Sequence, residues 1–468
     1  MSRYLFVDDE LISQSQGITL HTNPPKLEGP VLKGEMPWEE GWIHYACVLQ
    51  EGDLVKMWYG AHPPGRDGEL GPHYLCYATS HDGVNWERPK LGLVEFGGDR
   101  ENNILPVRGD FVFSDPKAPP EGRYKMLVVR STGDLERDGI YIALSPDGIH
   151  WKLHERRLLP FLPDTQNQVL YDPRIDRYVA YLRCWAPLRK VARVEVEDLL
   201  EPWEYDRSIE PRKLWGEGRL PPPSYEFPVA ISYDEMDPPE TDIYTPAVSI
   251  YPWARDVYLA FPSVYYHFPE PPEGRYRNDG LLEVQLAVSR DGVRFERPDR
   301  RPYIPLGVRG GPEGGSIYMV PGLVRMGDEI YQYYVAYAHS HGEYVGFEEL
   351  RGVGAVYLAV QRLDGFRSAD AEYTGGWLTT EPVVVSGGRL SLNIDCRATG
   401  HAEVELRSQD NLPIRGFTLE DCDLVRGNHV SYTVTWRGRS DITGLRGRWV
   451  RLHFRMRNAK LYSFGFSD

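Results

Sequence analysis

Three carboxyl side chains stand just ahead of apolar runs, in settings that suit chemistry: Glu39, Asp164 and Glu313. Glu39 lies close to Trp38 and Trp42, whose rings can desolvate a carboxyl group, raise its pKa and offer a stacking surface. Asp164 belongs to a polar run, and Glu313 is surrounded by glycines that permit close approach of a ligand. Carboxyl groups so placed can act as general acids, general bases or nucleophiles. For each of them a turn cap or a surface salt bridge is the ordinary alternative.

Other polar and aromatic side chains are candidates for contacting a ligand. Arg183 can hold a carboxylate through two parallel hydrogen bonds or contact a ligand hydroxyl group. His339 and His341 are strand neighbours without a clear third ligand, so no metal site is predicted there. Asp110 and Asp242 lie in acidic loops, where solvated carboxylates are common. The full set of candidate binding residues is Asp110, Arg183, Asp242, Trp38, His267 and His339.

Composition and motifs exclude several classes of function. The chain has 468 residues, a net charge of −15 and no basic run, which disfavours nucleic acid and anionic lipid as partners. Its five cysteines show no metal-binding spacing, and no Walker loop, Rossmann glycine motif, GxSxG or HExxH is present. No long apolar stretch or secretory leader is evident, so we expect a soluble, cytoplasmic protein that does not enter a membrane.

The composition favours an all-β fold. Thirty tyrosines, 12 tryptophans and 15 phenylalanines accompany 46 glycines and 38 prolines, a mixture typical of many short strands joined by turns. Apolar positions alternate with polar ones in most segments, and Gly, Pro or Asp bounds each segment. Little in the sequence indicates helices.

An internal repeat indicates the architecture. Asp-Gly followed by an aromatic residue recurs at Asp82, Asp147, Asp291 and, in a worn copy, Asp364, at intervals of 65, 144 and 73 residues. The long interval implies one missing copy and hence five repeats. A repeat of about 70 residues holding about four strands is the size of a propeller blade. We therefore predict a five-bladed β-propeller over residues 1–370, followed by an antiparallel, jelly-roll-type β-sandwich over residues 375–468.

These features resemble the five-bladed propeller glycoside hydrolases, the superfamily that contains families 32, 43, 62 and 68. The chain is most similar to uncharacterised family-32-like proteins with a C-terminal β-sandwich. The stretches that carry the resemblance are Phe6-Val7-Asp8-Asp9-Glu10-Leu11-Ile12, Pro37-Trp38-Glu39, Leu75-Cys76-Tyr77-Ala78-Thr79-Ser80, Asn102-Asn103-Ile104 and Leu461-Tyr462-Ser463-Phe464.

The resemblance implies an active site in the axial funnel, where the innermost strand of each blade begins. It also implies hydrolysis of a glycosidic bond, often of a furanoside, by two carboxyl groups. Glu39, Asp164 and Glu313 are then the expected catalytic residues, and a carbohydrate is the expected partner. No cofactor is expected to be required, while a structural Ca²⁺ in the propeller channel and a homo-oligomer are left open.

Two other functions remain open from the sequence. A propeller can bind carbohydrate without catalysis, since a fold does not fix a function. A sialidase-like hydrolase is suggested by the Asp-Gly turns, although no arginine cluster for a substrate carboxylate is evident in the sequence.

Overall fold

The chain folds almost entirely into β-strands. The structure, a computed structural model, describes residues 2–64, 71–109, 111–134, 136–185, 187–208, 213–214, 218–219, 227–269, 278–342 and 354–468. In these ranges the only helices are two short 3₁₀ turns, Pro120–Gly122 and Thr443–Leu445. None of the helices described could span a membrane. The all-β prediction is confirmed.

The chain divides into two compact units. Unit 1 comprises Met1–Pro25, Tyr251–Tyr258 and Gln361–Asp468, and unit 2 comprises Lys26–Ile250 and Leu259–Val360. The first 25 residues therefore belong with the C-terminal part rather than with the Asp-Gly repeats. The physical reason is strand pairing, because the first and third strands of the chain pair with strands formed after residue 366. Periodicity within a segment does not reveal such long-range pairs.

Unit 1 contains two mainly antiparallel sheets around one apolar core. One sheet has the order β3-β29-β36-β32-β34 with β1 beside β36, and the other has the order β2-β30-β35-β31 with β33 beside β35. Leu392 and Phe464 from the first sheet share a core with Val404 and Phe454 from the second. The strands are β1 (Ser2–Leu5), β2 (Ile12–Gln16), β3 (Ile18–Thr22), β29 (Arg367–Ala371), β30 (Gly376–Thr380), β31 (Val383–Val384), β32 (Arg389–Asp395), β33 (His401–Ser408), β34 (Asn428–Thr433), β35 (Trp449–Arg457) and β36 (Ala459–Ser467).

The remaining strands lie in unit 2 apart from the edges of β21 and β28. They are β4 (Lys26–Lys33), β5 (Trp42–Glu51), β6 (Leu54–His62), β7 (Tyr74–Ser80), β8 (Ile104–Leu105), β9 (Phe111–Ser114), β10 (Tyr124–Arg130), β11 (Gly139–Ser145), β12 (Lys152–Leu153), β13 (Gln168–Asp172), β14 (Arg177–Trp185), β15 (Arg189–Val196), β16 (Lys213–Leu214), β17 (Gly218–Arg219), β18 (Val229–Ile231), β19 (Thr241–Thr245), β20 (Val248–Ile250), β21 (Tyr258–Ala260), β22 (Ser263–His267), β23 (Gly280–Gln285), β24 (Ala287–Ser289), β25 (Pro302–Ile304), β26 (Ser316–Met326), β27 (Glu329–Tyr337) and β28 (Ala355–Arg362).

Unit 2 is organised as successive four-stranded antiparallel groups. Their orders are β5-β6-β7-β8, β9-β10-β11-β12, β13-β14-β15-β18, β19-β22-β23-β25 and β26-β27-β28-β4. One parallel bridge, between Leu282 of β23 and Ser316 of β26, joins the fourth group to the fifth. Neighbouring groups touch through β5 and β9, β9 and β13, β15 and β19, β23 and β26, and finally β26 and β5. The contacts between groups thus run from the first to the fifth and return to the first.

The Asp-Gly turns connect neighbouring groups. In the first turn the Ser80 hydroxyl accepts the N–H of Gly83 at 2.8 Å, while Asp82 accepts the next two backbone N–H groups. The Gly83 carbonyl accepts a hydrogen bond from Tyr333 of the fifth group at 2.8 Å. Equivalent bonds run from Trp58 to Gly148 and from Tyr181 to Gly292, each at 2.8 Å. The repeated turn therefore serves packing between groups.

A turn after β15 shares one hydrogen bond with the Asp-Gly turns. Asp198 accepts the N–H of Leu200 at 2.9 Å, as the turn aspartates do, and Trp203 follows as a buried aromatic. Leu199 stands where the other turns have glycine.

Candidate active site

Aromatic and charged side chains of unit 2 converge around the ring of Tyr244 on β19. The guanidinium carbon of Arg183 lies 3.9 Å from the ring centroid, and that of Arg189 lies 5.6 Å from it. The rings of His341 and Tyr318 lie 4.7 Å and 5.6 Å away, edge-on. These residues come from the third, fourth and fifth groups, and we call this set the Tyr244 cluster.

Asp164 presents a carboxylate at this cluster. Arg183, on β14, is buried, and its Nη1 donates to Oδ2 of Asp164 at 2.6 Å. The second nitrogen, Nη2, donates to the carbonyl of Tyr244 at 2.9 Å, so the guanidinium does not form the bidentate pair that the sequence suggested. The side chain of Asp164 is 52% exposed, whereas that of Arg183 is 1% exposed. A solvent-accessible carboxylate is thus anchored by a buried cation.

The backbone at Asp164 is held in an unusual conformation. Asp164 has φ of 48° and Thr165 has φ of 61°, so two consecutive non-glycine residues adopt the left-handed region. Asn167 is buried and donates from Nδ2 to the carbonyls of both residues. Its Oδ1 accepts the backbone N–H of Arg183 at 2.8 Å.

A β-bulge aims Tyr45 toward the same place. The register of β5 against β6 shifts between His44 and Ala46, and Tyr45 has φ of 30°. Its hydroxyl lies 3.1 Å from Oγ1 of Thr165. Burial raises the pKa of Tyr45 well above its ordinary value, so the phenol stays protonated and can donate a hydrogen bond. Bulges often redirect a side chain in this way next to a site.

Asp242 lies in a second ion pair within the cluster. It accepts the backbone N–H of Arg189 at 2.7 Å, the Arg189 guanidinium, and Nε2 of His267 at 2.7 Å. Burial by itself would raise the pKa of Asp242, but the hydrogen bond from His267 and the charge of Arg189 outweigh it and lower the pKa. Asp242 therefore remains an ionised carboxylate that orients Arg189 and His267.

The histidine of the cluster is neutral. His341 Nδ1 lies 2.6 Å from the hydroxyl of Tyr318. Burial, reinforced by Arg189 and Arg183, lowers the pKa of His341 to about 3. The imidazole can therefore exchange hydrogen bonds without adding positive charge next to the two arginines.

Three more histidines stack in the first group. His44, His62 and His73 have ring centroids 4.8 to 5.2 Å apart, and His44 also contacts Tyr45. Burial lowers the pKa of all three, to about 4 for His73. Nε2 of His44 and Nε2 of His73 are buried without a hydrogen-bond partner. We call these residues the histidine trio.

Glu313 lies on the fifth group. It follows the glycine-rich segment before β26, and its carboxylate accepts the Tyr334 hydroxyl at 2.5 Å. Tyr334 stacks on Tyr357 at 5.3 Å. The side chain is partly exposed. No contact recorded for Glu313 involves a member of the Tyr244 cluster, so its approach to Asp164 stays a prediction.

Glu39 lies in a buried ion pair with Arg88. It is fully buried, its carboxylate receives two hydrogen bonds from Arg88 at 2.9 and 3.0 Å, and Tyr59 donates a third at 2.5 Å. Trp38 is also buried, and its Nε1 donates to Asn103 at 2.8 Å. The recorded contacts of Glu39 and Trp38 join them to the core between groups rather than to Asp164.

Two candidate binding residues remain, Asp110 and His339. Asp110 lies outside the described residues. His339 stacks on Tyr337 at 5.4 Å, and its Nδ1 lies 2.9 Å from the Ser340 carbonyl. Among the described residues, no three histidine, cysteine or carboxylate side chains are arranged to hold a metal ion.

Several members of the site escape prediction from sequence alone. Tyr45, Arg189 and Tyr244 look like ordinary alternating strand residues, and the histidine trio is spread over β5, β6 and the residue before β7. Only one signal was available: Tyr45 follows His44 and Trp42 in an inner strand that is unusually rich in polar aromatics at its start.

Comparison with known proteins gives no family assignment, since no family model matches the chain. Two Mycobacterium tuberculosis proteins, Uncharacterized protein Rv1502 and Uncharacterized protein MT1551, are each 29% identical to it over 148 residues. That match covers 30% of this chain and 46% of theirs, so the chain spans less than half the length of these relatives.

Glycoside hydrolases are among the solved structures that resemble the chain. One titled only "Glycoside hydrolase" has a TM-score of 0.43 and 13% identity and covers 72% of this chain and 92% of its own. An N-acetylgalactosamine deacetylase from F. plautii, in complex with blood group B trisaccharide, has a TM-score of 0.43 and 14% identity. That match covers 74% of this chain and 96% of the deacetylase. A family 43 arabinoxylan arabinofuranohydrolase from Bacillus subtilis, in complex with cellotetraose, has a TM-score of 0.39 and 10% identity. That match covers 94% of this chain and 99% of the arabinofuranohydrolase. None of these likenesses assigns a role to a residue of this chain.

Proposed function

We propose that the chain is a glycoside hydrolase, exo-acting and furanosidase-like, of the arabinofuranosidase or fructofuranosidase type. Its active site is the Tyr244 cluster, and unit 2 is a five-bladed propeller with unit 1 as the accompanying sandwich. The observation that carries the proposal is Asp164: a half-exposed carboxylate held by buried Arg183 among aromatic rings. A carboxylate beside aromatic surfaces and neutral hydrogen-bonding groups is the chemistry that glycoside cleavage uses.

Asp164 is proposed as the general base or nucleophile. The bond from Arg183 to Oδ2 fixes the direction of the carboxylate. Only one of its oxygens takes part in this bond, so Oδ1 is left to approach a water molecule or an anomeric carbon. Tyr45 and His341 are proposed to bind sugar hydroxyl groups, because each is neutral and lies next to this carboxylate or its arginine.

Glu313 is proposed as the general acid. Asp242 does not suit that role, because its lowered pKa and its three hydrogen bonds keep it ionised. Glu39 does not suit it either, because it is fully buried in its pair with Arg88. Glu313 is partly exposed and follows a glycine-rich segment that leaves room for a ligand.

The proposal is tested with a panel of aryl furanosides and pyranosides. The enzymes compared are wild type, Asp164→Asn, Glu313→Gln and the control Asp176→Asn, a turn aspartate that pairs with Lys117. We expect wild type and the control to release chromophore from one furanoside. Both site variants should lose about 10²- to 10⁴-fold in kcat while remaining folded by circular dichroism. Full activity of Asp164→Asn would refute the assignment of the site.

A second candidate is a carbohydrate-binding protein without catalysis. It is favoured by the burial of Glu39 and Asp242, which leaves fewer accessible carboxyl groups than the sequence suggested. Sugar binding by calorimetry, without turnover of any substrate in the panel, would support it. A sialidase-like site is less suitable, because Arg183 and Arg189 already pair with Asp164 and Asp242.

A further inference from the structure

The strained backbone at Asp164 and Thr165 is unusual even among the turns of this chain. Thr165 is β-branched, and a β-branched residue with φ of 61° is a conformational outlier. Glycine reaches this region without penalty, and many turns of the chain use it, for example Gly83 with φ of 73°. Such strain persists only where surrounding contacts enforce it.

One side chain, that of Asn167, donates to the carbonyls of both strained residues. Asn167 Nδ2 donates to the Asp164 carbonyl at 2.9 Å and to the Thr165 carbonyl at 3.0 Å. Its Oδ1 accepts the Arg183 N–H at 2.8 Å, which ties the loop to β14. Asn167 is fully buried, so no water replaces these bonds without reorganisation.

The same segment fixes two side chains of the site. Arg183 supplies both the backbone N–H that Asn167 accepts and the guanidinium that binds Asp164. The Thr165 hydroxyl lies 3.1 Å from that of Tyr45. A relaxed loop would carry Asp164 away from the guanidinium, since the direction of its side chain depends on its own φ.

We infer that Asn167 is a positioning residue, which holds Asp164 and Thr165 in the left-handed conformation so that the Asp164 carboxylate meets Arg183. The left-handed conformation of these two residues lowers the stability of the loop. The catalytic half of the inference, that this position serves the chemistry of Asp164, rests on the proposed function. The conformational half, that Asn167 holds the two residues in the left-handed region, does not.

The experiment compares three variants with wild type in melting temperature, kcat and KM. Thr165→Gly adopts the left-handed conformation without penalty, so we expect a melting temperature about 1 to 3 °C higher and, because Asp164 keeps its place, no loss of kcat beyond that of Thr165→Val. Asn167→Asp keeps the acceptor but loses the donor, so we expect a lower melting temperature and a loss in kcat of about 10- to 100-fold. Thr165→Val removes only the hydroxyl and keeps the β-branched strain, so it should match Thr165→Gly in kcat without the rise in melting temperature.

Asn411→Gly is the matched control, because Asn411 has φ of 65° in a turn of unit 1. We expect it to raise the melting temperature without changing kcat. The inference is overturned if Asn167→Asp keeps full kcat, if Thr165→Gly loses much more kcat than Thr165→Val, or if Thr165→Gly melts below wild type. If wild type hydrolyses no substrate, the proposed function fails. The melting temperature of Thr165→Gly then decides the conformational half, with a rise supporting it and a fall refuting it.

Discussion

Nη1 of Arg183 lies 2.6 Å from Oδ2 of Asp164, although the arginine is buried and the aspartate is half exposed. The pair joins the interior of unit 2 to solvent. A surface ion pair contributes about 0 to 1 kcal/mol to stability, whereas a buried guanidinium that loses its carboxylate is left with an uncompensated charge. The relationship therefore constrains both the fold and the chemistry of the site.

Replacing the guanidinium tests this relationship. In Arg183→Lys the ammonium group is a compact point charge that does not reach Asp164 and the Tyr244 carbonyl in the same fork geometry. We expect kcat/KM on the best furanoside to fall about 10²-fold or more. Steady-state kinetics of folded protein measures the loss. Lys190→Arg, on the adjacent strand β15, is the control and should retain activity. An active Arg183→Lys enzyme would show that the fork geometry is dispensable.

The histidine trio predicts that stability depends on acidity. The pKa of His73 is lowered from 6.5 to about 4, and those of His44 and His62 are lowered in the same direction. The unfolded chain then binds more protons below pH 6.5, so this stabilisation is present above pH 6.5 and is lost as the pH falls toward 4. We expect His73 alone to account for roughly 3 kcal/mol over that window.

Urea unfolding at pH 7.5 and at pH 4.5 measures this dependence. A His73→Phe variant removes one titrating group and should show a shallower fall in the free energy of unfolding with acidity. An equal slope in wild type and variant would show that His73 is not buried as a neutral imidazole.

Glu39 is predicted to matter for stability rather than chemistry. Removing one partner of a buried ion pair costs about 3 to 5 kcal/mol. Glu39→Gln keeps one acceptor oxygen and the shape of the side chain. We therefore expect the free energy of unfolding to fall by about 3 kcal/mol, near the lower end of that range. Its kcat per folded molecule should match that of wild type. Urea unfolding and active-site-normalised kinetics separate the two effects, and a selective loss of kcat would return Glu39 to the catalytic set.

Asp364 is predicted to anchor unit 1. It is the aspartate of the worn repeat, is buried, and accepts hydrogen bonds from Arg3, Tyr251 and Ser463 at 2.8, 2.7 and 2.7 Å. Asp364→Asn leaves Arg3 without its charge partner, and we expect a loss of about 2 to 4 kcal/mol. Faster limited proteolysis after Arg3 should accompany it. Ser463→Ala removes one neutral bond and should cost about 1 kcal/mol.

The all-β class was predictable because its signals are local. Alternation along strands and the Asp-Gly turns at Asp82, Asp147 and Asp291 can be found within short windows. The placement of Ser2–Leu5 beside β36 was not predictable, because that pairing joins the two ends of the chain.

The site was predictable only in part. Asp164 and Arg183 were identified as candidates because each carries charge next to an apolar strand, yet their pairing depends on the strained turn before β13. The pairing of Glu39 with Arg88 could not be foreseen, because Arg88 lies 49 residues further along the chain. Tyr45 was missed because a bulge, not alternation, directs its ring.

The most direct test of the central claim is chemical rescue of Asp164→Ala on the best aryl furanoside. The account predicts that the variant loses about 10²- to 10⁴-fold in kcat, and that added azide restores turnover and yields a glycosyl azide. The azide then takes the place of the missing carboxylate or its activated water. An Asp164→Ala enzyme that keeps wild-type turnover, or one that forms no glycosyl azide at any azide concentration, would contradict the account.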